Sequence, residues 1–221
     1  MAKKSSRART VNQLTHCYHE RMATAEPIPP DRTAIPEGRT ARLILKPLEL
    51  ADAPQIQAAF PRWEIVRYLA NRVPWPYPPH GAEQFLREVA LPQMESNEGW
   101  HWTIRLIAHP DRLIGAIGLF RSDEESRGFW LDPHWQRQGL MSEACAWAND
   151  FYFDELGFEL MRVPKAAANL ASRRISQKQG MRLVRVEERD YVCGRLPSEI
   201  WEITAEEWRA WKELHCETNF I

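Results

Sequence analysis

The 221-residue sequence predicts a single α/β domain with extensions at its ends, and three observations support this. With 44% hydrophobic residues, the chain is long enough for one sizeable core and too short for two full enzyme domains. Strand and helix patterns follow one another in the order β-α-α-β-β-β-α-β-α-β-β. Three of the strands are joined by short connections, which indicates an antiparallel meander.

Each element is assigned from its periodicity and its turn residues. Alternation of apolar and polar residues predicts strands at 41–48, 100–107, 112–120, 126–131, 158–164, 181–186 and 198–204. Helical spacing predicts helices at 49–60 and 80–94, a third from Gly139, and a fourth between an N-cap at Asn169 and Gly180. A turn is expected at residues 109–111 and a loop at 187–197.

The ends of the chain differ from the middle. Residues 1–39 combine a basic start, a segment at 10–23 with helical potential and a proline-rich tract, so we expect an arm or linker there. The globular domain is expected at 40–205, followed by a C-terminal extension at 206–221. His16, Cys17 and His19 suggest a metal, but no further ligand cluster completes a site, so an exposed helical segment is favoured.

Composition excludes several classes of protein. The net charge of -1 gives no general attraction to nucleic acid or to an anionic membrane. The four cysteines lie far apart in the sequence, without the spacing of a zinc site or disulfide framework. No apolar run has the length of a signal peptide core or a membrane span. The sequence therefore predicts a cytoplasmic protein without a metal, acting on neither nucleic acid nor membranes.

The stretch "FWLDPHWQRQGLMSEACAWANDFYF" at 129–153 predicts an anion site. A strand passes through a polar turn straight into a long amphipathic helix, whose first backbone N–H groups have no partner within the helix. Gly139 lets the backbone approach a ligand, Arg137 adds a positive charge, and the N–H groups of residues 137–142 can converge on a diphosphate. Pro133 cannot continue a strand ladder, so the preceding strand end keeps free backbone groups.

Three phrases carry a family resemblance. They are "TARLILKPLELADA" at 40–53, "GFWLDPHWQRQGLMSEA" at 128–144 and "NLASRRISQKQGM" at 169–181. In this order the chain resembles the GNAT superfamily of N-acetyltransferases, and within it the branch that acetylates the N-termini of ribosomal proteins. The resemblance covers residues 40–205 and implies a mixed, mostly antiparallel sheet that splits near residues 129–132, with helices on both faces.

The resemblance also implies acetyl-CoA as co-substrate. The pantetheine arm would pair with the strand end formed by Phe129, Trp130 and Leu131. The pyrophosphate would bind the loop formed by Gln136, Arg137, Gln138, Gly139, Leu140, Met141 and Ser142. Asn169 is expected either to contact the cofactor or to serve as a helix N-cap, and it can do both.

The implied reaction is direct attack of an amine on the thioester. Ser172 matches the position that protonates the departing sulfur in some members, and stabilising the first turn of its helix is the competing interpretation. Ser176 stands where other members have a tyrosine acid. Glu125, Glu188 and Asp190 are all candidate bases, and a water relay can replace a dedicated base.

The acceptor site is expected under the connection at 66–81, where Tyr68, Trp75 and Tyr77 lie among prolines. Prolines would hold such a loop rigid, and a packed cover without recognition is the alternative. Trp130, Trp135 and Trp147 are expected to serve packing. A protein N-terminus, a ribosomal protein, an antibiotic amine and a small metabolite all remain open as the acceptor.

Two other functions remain open. The same fold could bind an acyl-CoA without turnover, as a sensor or scaffold, because a clear base and the tyrosine are missing. It could also use a longer acyl donor, because Met141 and Trp130 lie where the acyl pocket is expected. The N-terminal arm suggests contact with a second subunit, in a homodimer.

Overall fold

The computed structural model describes residues 35–216. The predicted helix at 10–23, the group formed by His16, Cys17 and His19, and most of the proline-rich tract lie outside the described residues. By its internal contacts the chain divides into residues 1–33 and residues 34–221, and all the helices and strands named below belong to the second unit.

Eight strands are found in the described part of the chain. They are β1 (Gly38–Arg39), β2 (Leu43–Pro47), β3 (Gly99–Leu106), β4 (His109–Phe120), β5 (Arg127–Leu131), β6 (Leu160–Ala166), β7 (Arg182–Tyr191) and β8 (Gly194–Thr204). Every strand pair is antiparallel, in one sheet of order β1-β2-β3-β4-β5 and a second of order β6-β8-β7. The predicted meander is β3-β4-β5.

The α-helices of the same part are α1 (Ala53–Ala59), α2 (Trp63–Val66), α3 (Gly81–Phe85), α4 (Leu91–Glu95), α5 (Leu140–Asp150), α6 (Leu170–Lys178) and α7 (Ala205–Cys216). A π-helical turn at Leu86–Ala90 joins α3 to α4, and another at Phe151–Glu155 extends α5. Short 3-10 turns lie at Leu50–Asp52 and Pro133–Trp135. The four predicted helices are present; α2 and α7 were not predicted.

Two predicted connections are wrong. The turn between β3 and β4 lies at residues 107–108, and His109, Pro110 and Asp111 belong to β4. The ladder shifts register beside them, and such an irregularity accommodates the proline. The strand pair expected around the loop at 187–197 is present, but the loop is shorter than predicted, since β7 extends to Tyr191 and β8 starts at Gly194. The charged residues at 187–197 are exposed or half-buried, because a sheet face open to solvent accepts polar side chains. Polar residues therefore do not distinguish these strands from a loop.

Helices cover both faces of the larger sheet, as predicted. Trp102 packs with Trp147 and Phe151 of the α5 segment, at ring distances of 5.2 Å in both cases. The preceding residue, His101, points to the other face, where it contacts Phe85 of α3 and Phe120 at 6.3 and 5.3 Å. Neighbouring residues of one strand thus pack in opposite layers of the core, because successive side chains point to opposite faces of a sheet.

The C-terminal helix α7 packs on the smaller sheet's side of the core. Trp208 is 1% exposed, and its indole N–H donates to Asp150 over 2.8 Å. Its ring stacks on Trp211, with centroids 5.0 Å apart. A Cβ atom on Gly180 would lie 2.6 Å from Trp211, so the helix end before it and α7 fit closely.

Within residues 35–216, no helix has the length and apolar character required to span a bilayer. The same residues contain no group of three or more His, Cys, Asp or Glu side chains arranged to hold a metal ion.

His101 makes the stability of this core dependent on pH. Burial lowers the pKa of His101 to about 4, and its Nε2 lies 3.1 Å from the Gln93 side-chain oxygen. The unfolded chain binds this proton near the ordinary pKa of about 6.5. Since the folded pKa is depressed, the contribution is fully present above pH ~6.5 and is lost as the pH falls towards about 4.

We therefore expect the unfolding free energy to lose about 3 kcal/mol across this window through His101 alone. Denaturant titrations between pH 7 and 4 give the unfolding free energy at each pH. A plot of this free energy against pH should have a shallower slope for His101→Gln than for the wild type. His80→Gln, at an exposed position, is the control and should keep the slope. Equal slopes in the two variants would contradict the assignment.

Candidate active site

The outer edge of β5 lacks a neighbouring strand over most of its length. On one side β5 pairs with β4, and the Asp132 N–H extends that ladder to the Ile114 carbonyl over 2.8 Å. On the other side Ser126 meets β6, donating its N–H to the Arg162 carbonyl over 2.8 Å. From there β5 and β6 belong to different sheets.

Alternation along β5 fixes which backbone groups face the gap. Because the Asp132 N–H points to β4, the N–H and C=O groups of Phe129 and Leu131 point away from it. The Leu131 carbonyl accepts a hydrogen bond from the Gln136 side chain over 2.9 Å. The gap is therefore lined by strand-type donors and acceptors, and Gln136 already engages one of the acceptors.

The turn after β5 is held by Asp132. Its carboxylate accepts hydrogen bonds from the His134 N–H at 3.0 Å and from Arg62 at 3.3 Å. Its burial raises the carboxyl pKa, but the His134 hydrogen bonds and the Arg62 charge outweigh this and bring the pKa below its ordinary value. An ionised Asp132 caps the 3-10 turn and fixes the direction of the chain towards α5.

Helix α5 begins with an open N-terminus. Gly139 is its N-cap, with φ +77°, and makes no side-chain cap. The first helical bond runs from the Glu143 N–H to the Gly139 carbonyl over 3.0 Å, so the N–H groups of Leu140, Met141 and Ser142 lie ahead of it. Arg137 also has positive φ, at +64°, a conformation that costs energy for a non-glycine residue. These N–H groups form an anion cradle.

Arg42, at the start of β2, braces this loop. Its guanidinium donates to the Gln138 carbonyl over 2.9 Å and to Glu143 over 2.7 Å. Partial burial raises the pKa of Glu143, but hydrogen bonds from Thr40 and Arg42 lower it below the ordinary value overall. Arg42 stands in the first of the three family phrases but was not assigned to the site, because it precedes Gln138 by 96 positions and meets the loop only in the folded chain.

Helix α6 presents the predicted polar pair Asn169 and Ser172 beside β6. The Asn169 side chain accepts the Ser172 N–H over 3.2 Å, so it is the N-cap of α6. The Ser172 hydroxyl lies 3.0 Å from the Lys165 ammonium group on β6. Lys165 lies 4.9 Å from the centre of the Phe129 ring, which places this pair beside the β5 gap.

The predicted acceptor loop contacts the β7-β8 hairpin. The Asn71 N–H donates to the backbone carbonyl of Asp190 over 3.2 Å. The N–H groups of Val192 and Cys193 donate to the backbone carbonyls of Leu69 and Arg67 over 3.0 and 3.1 Å. The two segments lie about 120 residues apart in sequence, yet they form one surface. Such long-range pairing leaves no signal in a single sequence.

The three predicted acceptor aromatics occupy different environments. Tyr77 packs edge-on against Phe60 at 5.0 Å, and Phe60 packs likewise against Trp130 of β5 at 5.3 Å. Burial raises the pKa of Tyr77 to about 12, so its hydroxyl stays protonated. Trp75 is 42% exposed and lies against Trp63 at 5.5 Å. The Arg67 guanidinium covers the ring of Tyr68 at 4.6 Å.

The other tryptophans pack, as expected for Trp130 and Trp147. Trp147 stacks on Phe151 at 5.7 Å. Trp135 lines a cavity of about 390 Å³ together with Gln55, His109, Asp111 and Arg112.

The three candidate bases lie near this surface, with different partners. Glu125 forms an ion pair with Arg72 at 3.0 Å, which joins it to the acceptor loop. Asp190 lies 3.9 Å from Arg195, and Glu188 is exposed on β7. None of these contacts selects one of the three as the base.

Comparison with known proteins agrees with this geometry. The family model of the acetyltransferase (GNAT) domain matches residues 42–182. The probable N-acetyltransferase YjcK of Bacillus subtilis is 31% identical over 93 residues, 40% of this chain and 51% of that protein. The match thus spans about half the length of this curated relative.

Solved structures share the fold. Ribosomal-protein-S5-alanine acetyltransferase from Vibrio fischeri superposes with a TM-score of 0.67 at 15% identity, covering 79% of this chain and 99% of that one. Spermidine N-acetyltransferase from Vibrio cholerae, in complex with CoA and spermine, gives 0.63 at 18% identity, covering 77% and 99%.

The divided sheet and the open helix N-terminus define an acyl-CoA-type transferase fold. The family match covers more than half of the chain, so the protein belongs to the GNAT acetyltransferase family. Acetyl-CoA is the co-substrate of this family's chemistry.

The residues present fit this co-substrate. A pyrophosphate needs converging N–H donors and positive charge, which Gly139, the first turn of α5, Arg42 and Arg137 supply. A pantetheine amide needs an open strand edge, which Phe129 and Leu131 supply.

Replacing Arg42 by Gln should weaken CoA binding about tenfold, since a charge-assisted contact contributes about 1.5–3 kcal/mol. Isothermal titration calorimetry with CoA measures this. Arg39→Gln is the control, because Arg39 is an exposed neighbour paired with Glu37 over 3.1 Å. Equal affinities of both variants would contradict a role for Arg42 in the loop.

Proposed function

We propose that this protein is an N-acetyltransferase that moves the acetyl group of acetyl-CoA to a primary amine by direct attack. The observation that carries the proposal is the continuity of two features. The open edge of β5 runs, within one short turn, into the uncapped N-terminus of α5. A ligand with an amide-bearing arm and a diphosphate matches both at once.

The proposed contacts divide between backbone and side chains. Along Phe129, Trp130 and Leu131, the backbone groups of the first and last hold the pantetheine arm in the manner of an added strand, and the arm displaces the Gln136 side chain from the Leu131 carbonyl. The N–H groups of Gln138, Gly139, Leu140, Met141 and Ser142 hold the pyrophosphate, and Arg137 adds a charged contact. Asn169 caps α6 and thereby fixes Ser172.

The bound thioester supplies an activated carbonyl. A backbone N–H of β5 that faces the gap donates to the carbonyl oxygen as negative charge develops there. Ser172 holds the proton that the departing sulfur takes up. The proton lost by the amine passes to Glu125, Glu188, Asp190 or an ordered water, which are the acceptors available near the loop.

Gly139→Glu tests the cofactor loop. It places a carboxylate and a strained backbone where the diphosphate binds, so CoA affinity should fall at least a hundredfold in calorimetry. Gly157→Glu is the matched control: Gly157 has nearly the same φ, +73°, and open space around it. CoA binding retained by Gly139→Glu at the control's level would refute the loop assignment.

The amine is proposed to bind where the loop at 66–81 meets the β7-β8 hairpin. Support comes from two carboxylates at this surface, Glu125 beside Arg72 and Asp190 beside Arg195, since an amine arrives as an ammonium ion. The structural relatives act on different amines, a protein alanine in one and spermidine in the other. A screen of peptides, polyamines and small amines, followed through CoA release, identifies the acceptor class.

Trp75→Ala should raise the KM for the amine about tenfold and leave CoA affinity unchanged, because an exposed aromatic in the loop contributes roughly 1–2 kcal/mol to a contact. Phe85→Ala is the control, since Phe85 has the same exposure of 42% on α3. A KM unaffected by Trp75→Ala would mean that the loop is a packed cover.

Ser176 in place of the tyrosine acid supports a second candidate, a module that binds acyl-CoA without turnover. Calorimetric binding without CoA release across the whole amine panel would select it. Competition between acetyl-CoA and longer acyl-CoA compounds separately defines the acyl pocket at Met141 and Trp130. A cytoplasmic location is proposed from the free thiols of Cys145 and Cys193.

A further inference from the structure

Lys165 is a buried cation that the proposed reaction has not used. It lies on β6 with 5% of its surface exposed, and its ammonium group donates to the Ser172 hydroxyl over 3.0 Å. Lysine is rarely buried to this degree without an ionised partner. Among the side-chain hydrogen bonds described for residues 35–216, the one that Lys165 makes is to Ser172, the proposed acid.

The charged and titratable groups around Lys165 belong to four elements, which are β5, α5, β8 and α6. Arg127 of β5 is 3% exposed, and Cys145 of α5 is fully buried. Glu199 is the cross-strand partner of Lys165 on β8, but its carboxylate accepts from Arg173 of α6 over 2.7 Å. Glu199 therefore pairs with Arg173, whereas the ammonium group of Lys165 contacts Ser172.

We propose that Lys165 is a positioning residue that orients Ser172 and resupplies the proton which Ser172 delivers to the departing sulfur. This inference rests on the proposed function and extends it by one residue. Ser172 and Lys165 then form a two-residue proton relay beside the open edge of β5, next to Phe129.

When the carbon–sulfur bond breaks, the sulfur keeps the electron pair and takes the proton from the Ser172 oxygen. That oxygen takes a proton from the Lys165 ammonium, which becomes a neutral amine. The attacking amine loses its surplus proton to the base or water, and Lys165 regains one from solvent before the next turnover.

The environment suits Lys165 to this task. Desolvation foremost, and then the Arg127 charge, lower the pKa of Lys165 to about 7. A thiol has an ordinary pKa of about 8.5, so the transfer from Lys165 to the thiolate is favourable, whereas from an ordinary lysine near 10.4 it is not. A serine hydroxyl without such a partner is a much weaker acid than either.

Lys165→Met tests the relay in the full-length chain. The expected result is a fall in kcat of about a hundredfold, with an unchanged calorimetric affinity for CoA. In the wild type, kcat should decline above pH ~7 as Lys165 loses its proton, and this alkaline limb should disappear in the variant. Lys178→Met, an exposed lysine of α6, is the control and should keep both kcat and the limb.

Ser172→Ala provides a second variant that leaves the buried lysine in place. It should remove the same alkaline limb, and the double variant should be no slower than either single one. A wild type that releases no CoA with any amine overturns the proposed function and the relay with it. A working wild type whose alkaline limb persists in Lys165→Met or Ser172→Ala overturns the relay alone.

Discussion

The divided ladder between β5 and β6 is the constraint on which the rest of the site depends. The two strands meet at Ser126 and Arg162 and then belong to separate sheets. A strand edge left without hydrogen-bond partners is costly inside a protein, so the fold tolerates the gap where a ligand can complete the ladder. The same divergence directs the chain after Leu131 into the turn that starts α5.

Behind the gap lies a buried polar layer that gives it a positive character. Arg127 donates to Asn149 and to Gln179, the latter over 3.1 Å. Within residues 35–216, the Nε and Nη2 atoms of Arg127 and the Ser176 hydroxyl are buried without a hydrogen-bond partner. In the proposed reaction, the thioester develops negative charge in front of this layer, where fixed positive charge acts strongly because the local dielectric constant is low.

The sequence predicted those parts of the fold that rest on local rules. Alternation and helical spacing located the meander, α5 and α6, while Gly139 marked the start of α5 and the N-cap Asn169 marked the start of α6. The predicted turn at 109–111 and loop at 187–197 were wrong because polar and proline residues also occur on irregular or exposed strand edges. Arg42 and the pairing of residues 67–71 with the hairpin depend on contacts between distant segments, which local patterns do not encode. Lys165 lies seven positions before Ser172, but its burial beside Arg127 and Cys145 comes from other elements.

The two halves of the site also differ in what builds them. The cofactor half consists mainly of backbone groups on β5 and α5, so its chemistry is set by chain direction and by one glycine. The proposed acceptor half consists of side chains from two segments held together by three backbone hydrogen bonds between residues 67–71 and 190–193. Backbone groups recognise the part of a substrate that never changes, whereas side chains can be exchanged without disturbing the fold. We therefore propose that selectivity for the amine resides in the junction of loop and hairpin, where residues such as Trp75, Arg72 and Glu125 set its chemistry, rather than in the strand proposed to hold the thioester.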